Sequence, residues 1–303
     1  KLALATAASA ALAVSLLTPA QAATRSTVVI HHTNVQTGLN CGLSTTNSTV
    51  CTDQSALTGM GFNYYNEKKE LIKNTVFGNY KVIKNSKTDF RVQYTVNPGR
   101  VWSDGTPITA VDLLLTHVVS SSSYSLGAGL GDPKSEDVKP GFNSLGYGGV
   151  YDTHHVYLPK LSADKMSLTV EYDQAIPDWE INATGVSPVH ALVHMAEGKK
   201  SLQNATANRA AKAKFEKAFY AYDKKLMAAM GKVWTNDYNV KEVTAQTNPL
   251  LYVGNGAYIL KSVVANGTIT LVENPRHKTN PSGPKTNGIK TIQFRVIDNA
   301  TAA

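Results

Sequence analysis

Apolar residues along this chain recur at two spacings, every second position in some stretches and every third or fourth in others, which predicts a mixed α/β fold. Phe90, Val92, Tyr94 and Val96 alternate with polar neighbours, so a half-buried strand is expected there, running into the turn pair Pro98-Gly99. Phe62 to Tyr65 and the run Val76, Tyr80, Val82 and Ile83 come before it. With the polar turn Lys84 to Lys87, these stretches predict an antiparallel meander. Strands are also expected at Thr27 to Ile30, at Ser167 to Tyr172, where Leu168, Val170 and Tyr172 alternate, and at Lys290 to Ile297. Helical spacing predicts a short helix over Gln54 to Met60 and one long helix over Gln203 to Met230. The long helix carries Phe215, Phe219, Tyr222, Leu226 and Met230 as its core stripe, with Gly231 as its stop. Ser120 to Gly149 is rich in Ser, Gly, Pro and Asp without clear periodicity and reads as a long loop; Trp234 to Pro249 reads as an irregular link.

The most informative stretch is Arg100 to Val118. Asp104-Gly105 is a turn signal, because glycine takes positive φ without a Cβ clash, and Thr106-Pro107 keeps the chain extended. Thr109 then suits an N-cap, with Asp112 three residues on completing a variant capping box in the first turn. Val111, Leu114, Leu115 and Val118 follow at helical spacing and predict a buried face.

The first residues change the reading of the rest. Lys1, an apolar run from Leu2 to Leu17 and the small residues of Thr18 to Ala22 describe a secretory signal peptide, cut after Ala22 or Ala23. About 280 residues then remain, enough for one large or two modest domains. Export places the two cysteines, Cys41 and Cys51, in an oxidising compartment, where they are expected to form a disulfide across the turn-rich loop between them. Neither cysteine follows a lipobox at the signal boundary. The formal net charge of +8 raises nucleic acid or anionic envelope polymers as partners. The lysines are scattered, however, and Lys212, Lys214, Lys217, Lys224 and Lys225 fit the wet face of one helix, so solubility is the better reading and no nucleic-acid partner is expected.

Candidate chemistry is sparse. His190, His194 and Glu197 share one helix face with metal-ligand chemistry, but zinc hydrolases place their glutamate beside the first histidine, where Ala191 stands here. The bland alternative is a capped surface helix. No serine lies in a Gly-x-Ser-x-Gly elbow and no free reactive thiol is evident, so neither catalysis nor a cofactor is expected. Tyr64 combines an apolar body with a polar tip and is a candidate pocket residue, with sheet packing as its alternative.

Trp102-Ser103-Asp104-Gly105-Thr106-Pro107, followed by Ala110-x-Asp112 opening a helix, resembles the most recognisable segment of the family 5 extracellular solute-binding proteins, the oligopeptide- and dipeptide-binding receptors of bacterial ABC importers. Pro188-Val189-His190 is similar to that family's Pro-x-His element. Gly254-Asn255-Gly256-Ala257-Tyr258 resembles its Gly-x-Gly-Pro-Tyr strand, with a hairpin and the turn Asn274-Pro275 following. The resemblance implies an α/β, periplasmic-binding-protein-like type II (cluster C) fold: a first lobe over 23–53 and 161–303, an extra subdomain over 54–160, and a second lobe largely missing because the sequence is a fragment. It implies that Trp102, Asp104, Gly105, Thr109 and Asp112 are scaffold, and that the ligand-facing edge lies at His32, Thr33 and Asn34. It also implies an exported monomer, in the periplasm or on the outer surface, that takes peptides and hands them to an ABC permease; a nickel or other solute receptor of the same family and a secreted zinc hydrolase are the alternatives.

Overall fold

The computed structural model describes residues 26–135, 137, 141–155, 157–180 and 185–297; the expected signal peptide over 1–22 and the stretch Asp298 to Ala302 lie outside them. In chain order the elements are β1 (Thr27–His32), α1 (Thr49–Thr58), β2 (Asn63–Tyr65), β3 (Leu71–Lys73), β4 (Gly78–Ser86), β5 (Asp89–Val96), a 3-10 turn (Ala110–Leu113) leading into α2 (Leu114–Ser120), α3 (Ser122–Gly127), α4 (Val150–His154), β6 (Lys160–Leu161), β7 (Ser167–Tyr172), α5 (Val189–Ala196), α6 (Ala205–Tyr220), α7 (Lys224–Lys232), β8 (Tyr258–Val263), β9 (Ile269–Glu273), α8 (Pro275–Thr279) and β10 (Thr291–Val296).

The strands form two four-stranded sheets and one small hairpin. One sheet is antiparallel in the order β4-β5-β7-β6. Along β5, Phe90, Val92, Tyr94 and Val96 are buried while their neighbours are not, the alternation the sequence carries. That buried face belongs to a core running from Phe62 to Val253 that also takes in residues of α2, α3, α5, α6 and α7. The second sheet has the order β1-β10-β9-β8, with β1 parallel to β10 and the other pairs antiparallel. A smaller core of Val50, Val243 and residues from β8, β9 and β10 lies against it. β2 and β3 pair only with each other. Among the described residues no helix is long and apolar enough to cross a membrane.

Three expectations about secondary structure need correction. The helix expected as one piece over 203–230 is two, because Tyr222 turns left-handed at φ +51° and Asp223 caps a new helix, its carboxylate accepting from Leu226 N at 3.1 Å. The stripe survives the break, since Phe215, Phe219, Leu226 and Met230 all reach the same core. Gly231 is not a stop but lies inside α7: a Cβ there would sit 1.9 Å from the carbonyl oxygen of Gly141, so glycine permits a backbone crossing. Finally, Ser120 to Gly149 is not a plain loop. Ser121 caps α3 by accepting from Tyr124 N, Tyr124 and Phe142 are core residues, and Asp152 ties the segment down by accepting from Ser122 N (2.6 Å), Ser122 Oγ (2.6 Å) and Gly148 N (2.8 Å). The Ser-rich composition that hid a helix supplies its cap.

Candidate functional site

The turn at 102–107 closes as its residues dictate. Trp102 N donates to Thr106 O (2.9 Å), Gly105 N donates to Trp102 O (2.8 Å) with Gly105 at φ +88°, and Asp104 Oδ1 accepts from Thr106 N (2.9 Å). Thr109 then stands extended at the helix start, and its N–H donates to Asp112 Oδ2 at 3.0 Å.

Both carboxylates have second partners that the sequence does not announce. His190 Nε2 on α5 donates to Asp104 Oδ2 at 2.8 Å, and Lys212 Nζ on α6 donates to Asp112 Oδ2 at 2.6 Å and to Pro107 O at 2.8 Å. Asn208, one turn before Lys212, donates to Thr106 Oγ1 (2.7 Å) and accepts from His194 Nε2 (2.9 Å). All of these side chains are buried, including that of Lys212, which the sequence places on a wet helix face. Burial pushes the Asp104 carboxyl up, but the hydrogen bond and charge of His190, together with the bonds from Thr106, outweigh it and leave the group below its ordinary value. Burial holds His194 below its ordinary value, against the opposing bond to Asn208. The turn is thus clamped onto α5 and α6 by a buried polar network.

This network also disposes of a surface-helix reading of His190, His194 and Glu197. Val189 to Met195 are all buried, because α5 packs between α6 and α7. The histidines point their Nε2 atoms at different partners. Glu197 Oε1 accepts from Lys214 Nζ at 2.6 Å, and Glu197 Oε2 is 3.9 Å from His194 Nδ1. Among the described residues no group of three or more His, Cys, Asp or Glu is placed to hold a metal ion.

Above the clamp lies a cavity of about 350 Å³, bounded by the loop 39–42, α1, the approach to α5 over 186–188, and the stretches 234–238 and 251–255. The Cys41–Cys51 disulfide forms, with an S–S distance of 2.06 Å, and joins the loop to α1. The loop is also bonded to the opposite wall: Leu39 N donates to Tyr238 O (2.7 Å) and Asn40 Nδ2 to Trp234 O (3.3 Å). Another wall is the Gly254-Asn255-Gly256 turn. A Cβ on Gly256 would lie 2.2 Å from Leu57 O, so this glycine lets the turn meet the end of α1, and Asn255 locks it by bonding Met60 N (2.9 Å) and O (2.8 Å). Ser103 N donates to Gly254 O at 2.8 Å, so the two motif segments, far apart in sequence, support one cavity.

None of the sequence-derived ligand candidates lines this cavity. His32 ends β1 with Nε2 3.1 Å from Asp53 Oδ2 and its ring edge-on to Phe294. Thr33 and Asn34 are exposed, with Asn34 Oδ1 accepting from Thr49 Oγ1 at 3.1 Å, and Tyr64 lies in β2 opposite Ile72. The lining residues that sequence reasoning missed include Asn40, Gln54, Trp234 and Tyr238. Their one signal was two large aromatics in a stretch with no periodicity.

This fold is that of the type II periplasmic binding proteins. The chain is similar to the periplasmic EDTA-binding protein EppA (16% identity, TM-score 0.60), covering 91% of this chain and 40% of that one. It is also similar to the oligopeptide-binding protein of Thermus thermophilus solved with a pentapeptide (16%, 0.55, covering 91% and 42%) and to the oligopeptide-binding protein AppA of Bacillus subtilis solved with a nonapeptide (17%, 0.55, covering 91% and 41%). The chain therefore spans about 40% of the length of these proteins. No curated protein matches it. The model of the bacterial extracellular solute-binding proteins, family 5 (middle) matches residues 80–303, and the chain belongs to that family.

Proposed function

We propose that the chain is the solute-capturing component of a bacterial ABC importer and that its solutes are peptides. The observation that carries this reading is membership of the family 5 solute-binding proteins over residues 80–303, together with a cavity that Trp102, Gly254 and Asn255 of that stretch help to wall. Capture would follow the general scheme of such receptors, in which a solute stabilises a closed arrangement of two lobes and that arrangement is what the permease reads. Extended peptides suit such a cleft because main-chain hydrogen bonds give affinity while side-chain pockets set preference. On this reading the chain works outside the cytoplasm, and His32, Thr33, Asn34 and Tyr64 remain candidates for ligand contact beyond the cavity. A bare nickel ion is the weaker alternative: it needs imidazole or carboxylate ligands, and among the described residues none lines the cavity. The test is a thermal-shift titration of the purified chain with a mixture of two- to five-residue peptides. A concentration-dependent rise in Tm is expected, and a flat response to peptides alongside a rise with nickel overturns the peptide assignment.

A further inference from the structure

A second cavity, of about 450 Å³, lies between the end of β9, α8 and the loop 281–290, and shares no lining residue with the first. Its walls are held by side chains. His277, buried on α8, donates from Nε2 to Pro284 O (3.0 Å) and accepts at Nδ1 from Ser282 N (3.3 Å), which fixes the start of the loop to the helix. Thr286 Oγ1 donates to Glu273 Oε1 (2.6 Å) and Tyr258 OH to Ile289 O (3.0 Å), which fix its end to β9 and β8. Between them Ile289 N closes a turn onto Thr286 O (3.0 Å), with Asn287 and Gly288 both left-handed at φ +50° and +86°. The cavity is therefore formed before anything enters it.

Its charge is one-sided. Lys278, Lys285 and Lys290 line it, against Glu273 as the one acid among the described lining residues, and that carboxylate is already engaged by Thr286. All three lysines are exposed, and among the described residues their ammonium groups enter no ion pair, whereas Lys165, Lys212 and Lys214 each meet a carboxylate. Like charges set around one concavity repel each other, so an anion entering it gains from all three at once. The flexible four-carbon stem of lysine lets each ammonium swing onto a shared anion. We propose that this cavity binds a phosphate group, free or as a small monoester, through the ammonium groups of Lys278, Lys285 and Lys290. A phosphate dianion matches the excess of two positive charges, and its oxygens can meet three separate donors; a carboxylate brings one charge and two oxygens. The site is distinct from the solute cavity and does not depend on the peptide reading.

The test is calorimetric titration of the chain, in about 0.15 M salt, with inorganic phosphate, glycerol 3-phosphate and acetate. One or both phosphates are expected to bind with a Kd below about 1 mM, the tighter of the two identifying the free or the esterified form, and acetate at least about tenfold more weakly. Lys285→Gln is expected to weaken phosphate about three- to tenfold, and the triple variant Lys278→Gln, Lys285→Gln, Lys290→Gln at least about a hundredfold, with Tm near that of the parent because the positions are exposed. A control triple variant, Lys81→Gln, Lys84→Gln, Lys87→Gln, removes the same charge from another exposed part of the chain and is expected to leave phosphate affinity unchanged. Absence of binding by either phosphate overturns the inference, as do acetate binding as tightly as phosphate, unchanged affinity in the Lys285→Gln or first triple variant, and an equal loss in both triples, which would show net charge alone at work.

Discussion

Asp104 shows most clearly how one residue serves two levels of structure. Its Oδ1 shapes the local turn through Thr106 N, and its Oδ2 receives His190 from a helix 86 residues away. The same carboxylate thus specifies a turn and the docking of α5. Because its folded value is lowered, its contribution to stability is full above the ordinary aspartate range and is lost as pH falls through the folded value. Asp104→Asn keeps the shape and removes the charge, so it is expected to cost about 2 kcal/mol at pH 7. In urea denaturation the gap to the parent chain should shrink as pH falls below the ordinary aspartate range. Equal stabilities at pH 7, or a gap that does not shrink at all as the pH is lowered, would refute the role assigned to this carboxylate.

At the scale of elements, the crossing of α7 over the segment at Gly141 decides the packing. Helix propensity alone makes Gly231→Ala stabilising by about 1 kcal/mol. The added Cβ, however, would lie 1.9 Å from Gly141 O and 2.7 Å from Gly141 C, and these are backbone atoms that move only if the segment does. Overpacking of this kind costs about 3 kcal/mol or more, so the clash wins and the variant is expected to lose Tm; a gain would show that the segment yields freely. The same glycine shows where sequence reading reaches its limit. Period-2 alternation in β5 and β7, and the Asp112 half of the capping box at Thr109, are local and are present in the structure, whereas the Thr109 hydroxyl makes no cap bond. Gly231 reads as a helix stop because nothing local reveals the chain that will lie across it. Likewise the α6–α7 break rests on Asp223, a cap residue hidden inside an unbroken apolar stripe. His190 and His194 resemble ligands at i and i+4 because their partners, Asp104 and Asn208, come from other segments. The cavity was the least legible feature, since its walls come from stretches without periodicity that converge only in three dimensions.

For the whole molecule, the two sheets and their two cores are joined by contacts among the motif segments, with Ser103 meeting Gly254 and Asn255 meeting Met60. The segments that resemble the family's motifs are therefore joints of the molecule. On the proposed reading, selectivity falls to the irregular walls that those joints hold in place. At the free edge of its sheet, β1 leaves Val28, Val29 and Ile30 more than a third exposed, in a chain that spans about 40% of the length of its structural relatives. The central claim, capture of a peptide without chemical change, is tested most directly by native mass spectrometry of the purified chain after incubation with an equimolar mixture of short peptides. The account predicts one intact peptide retained per chain and a mixture unaltered in mass. A chain that retains none, or a mixture in which peptides have been cleaved, would contradict it.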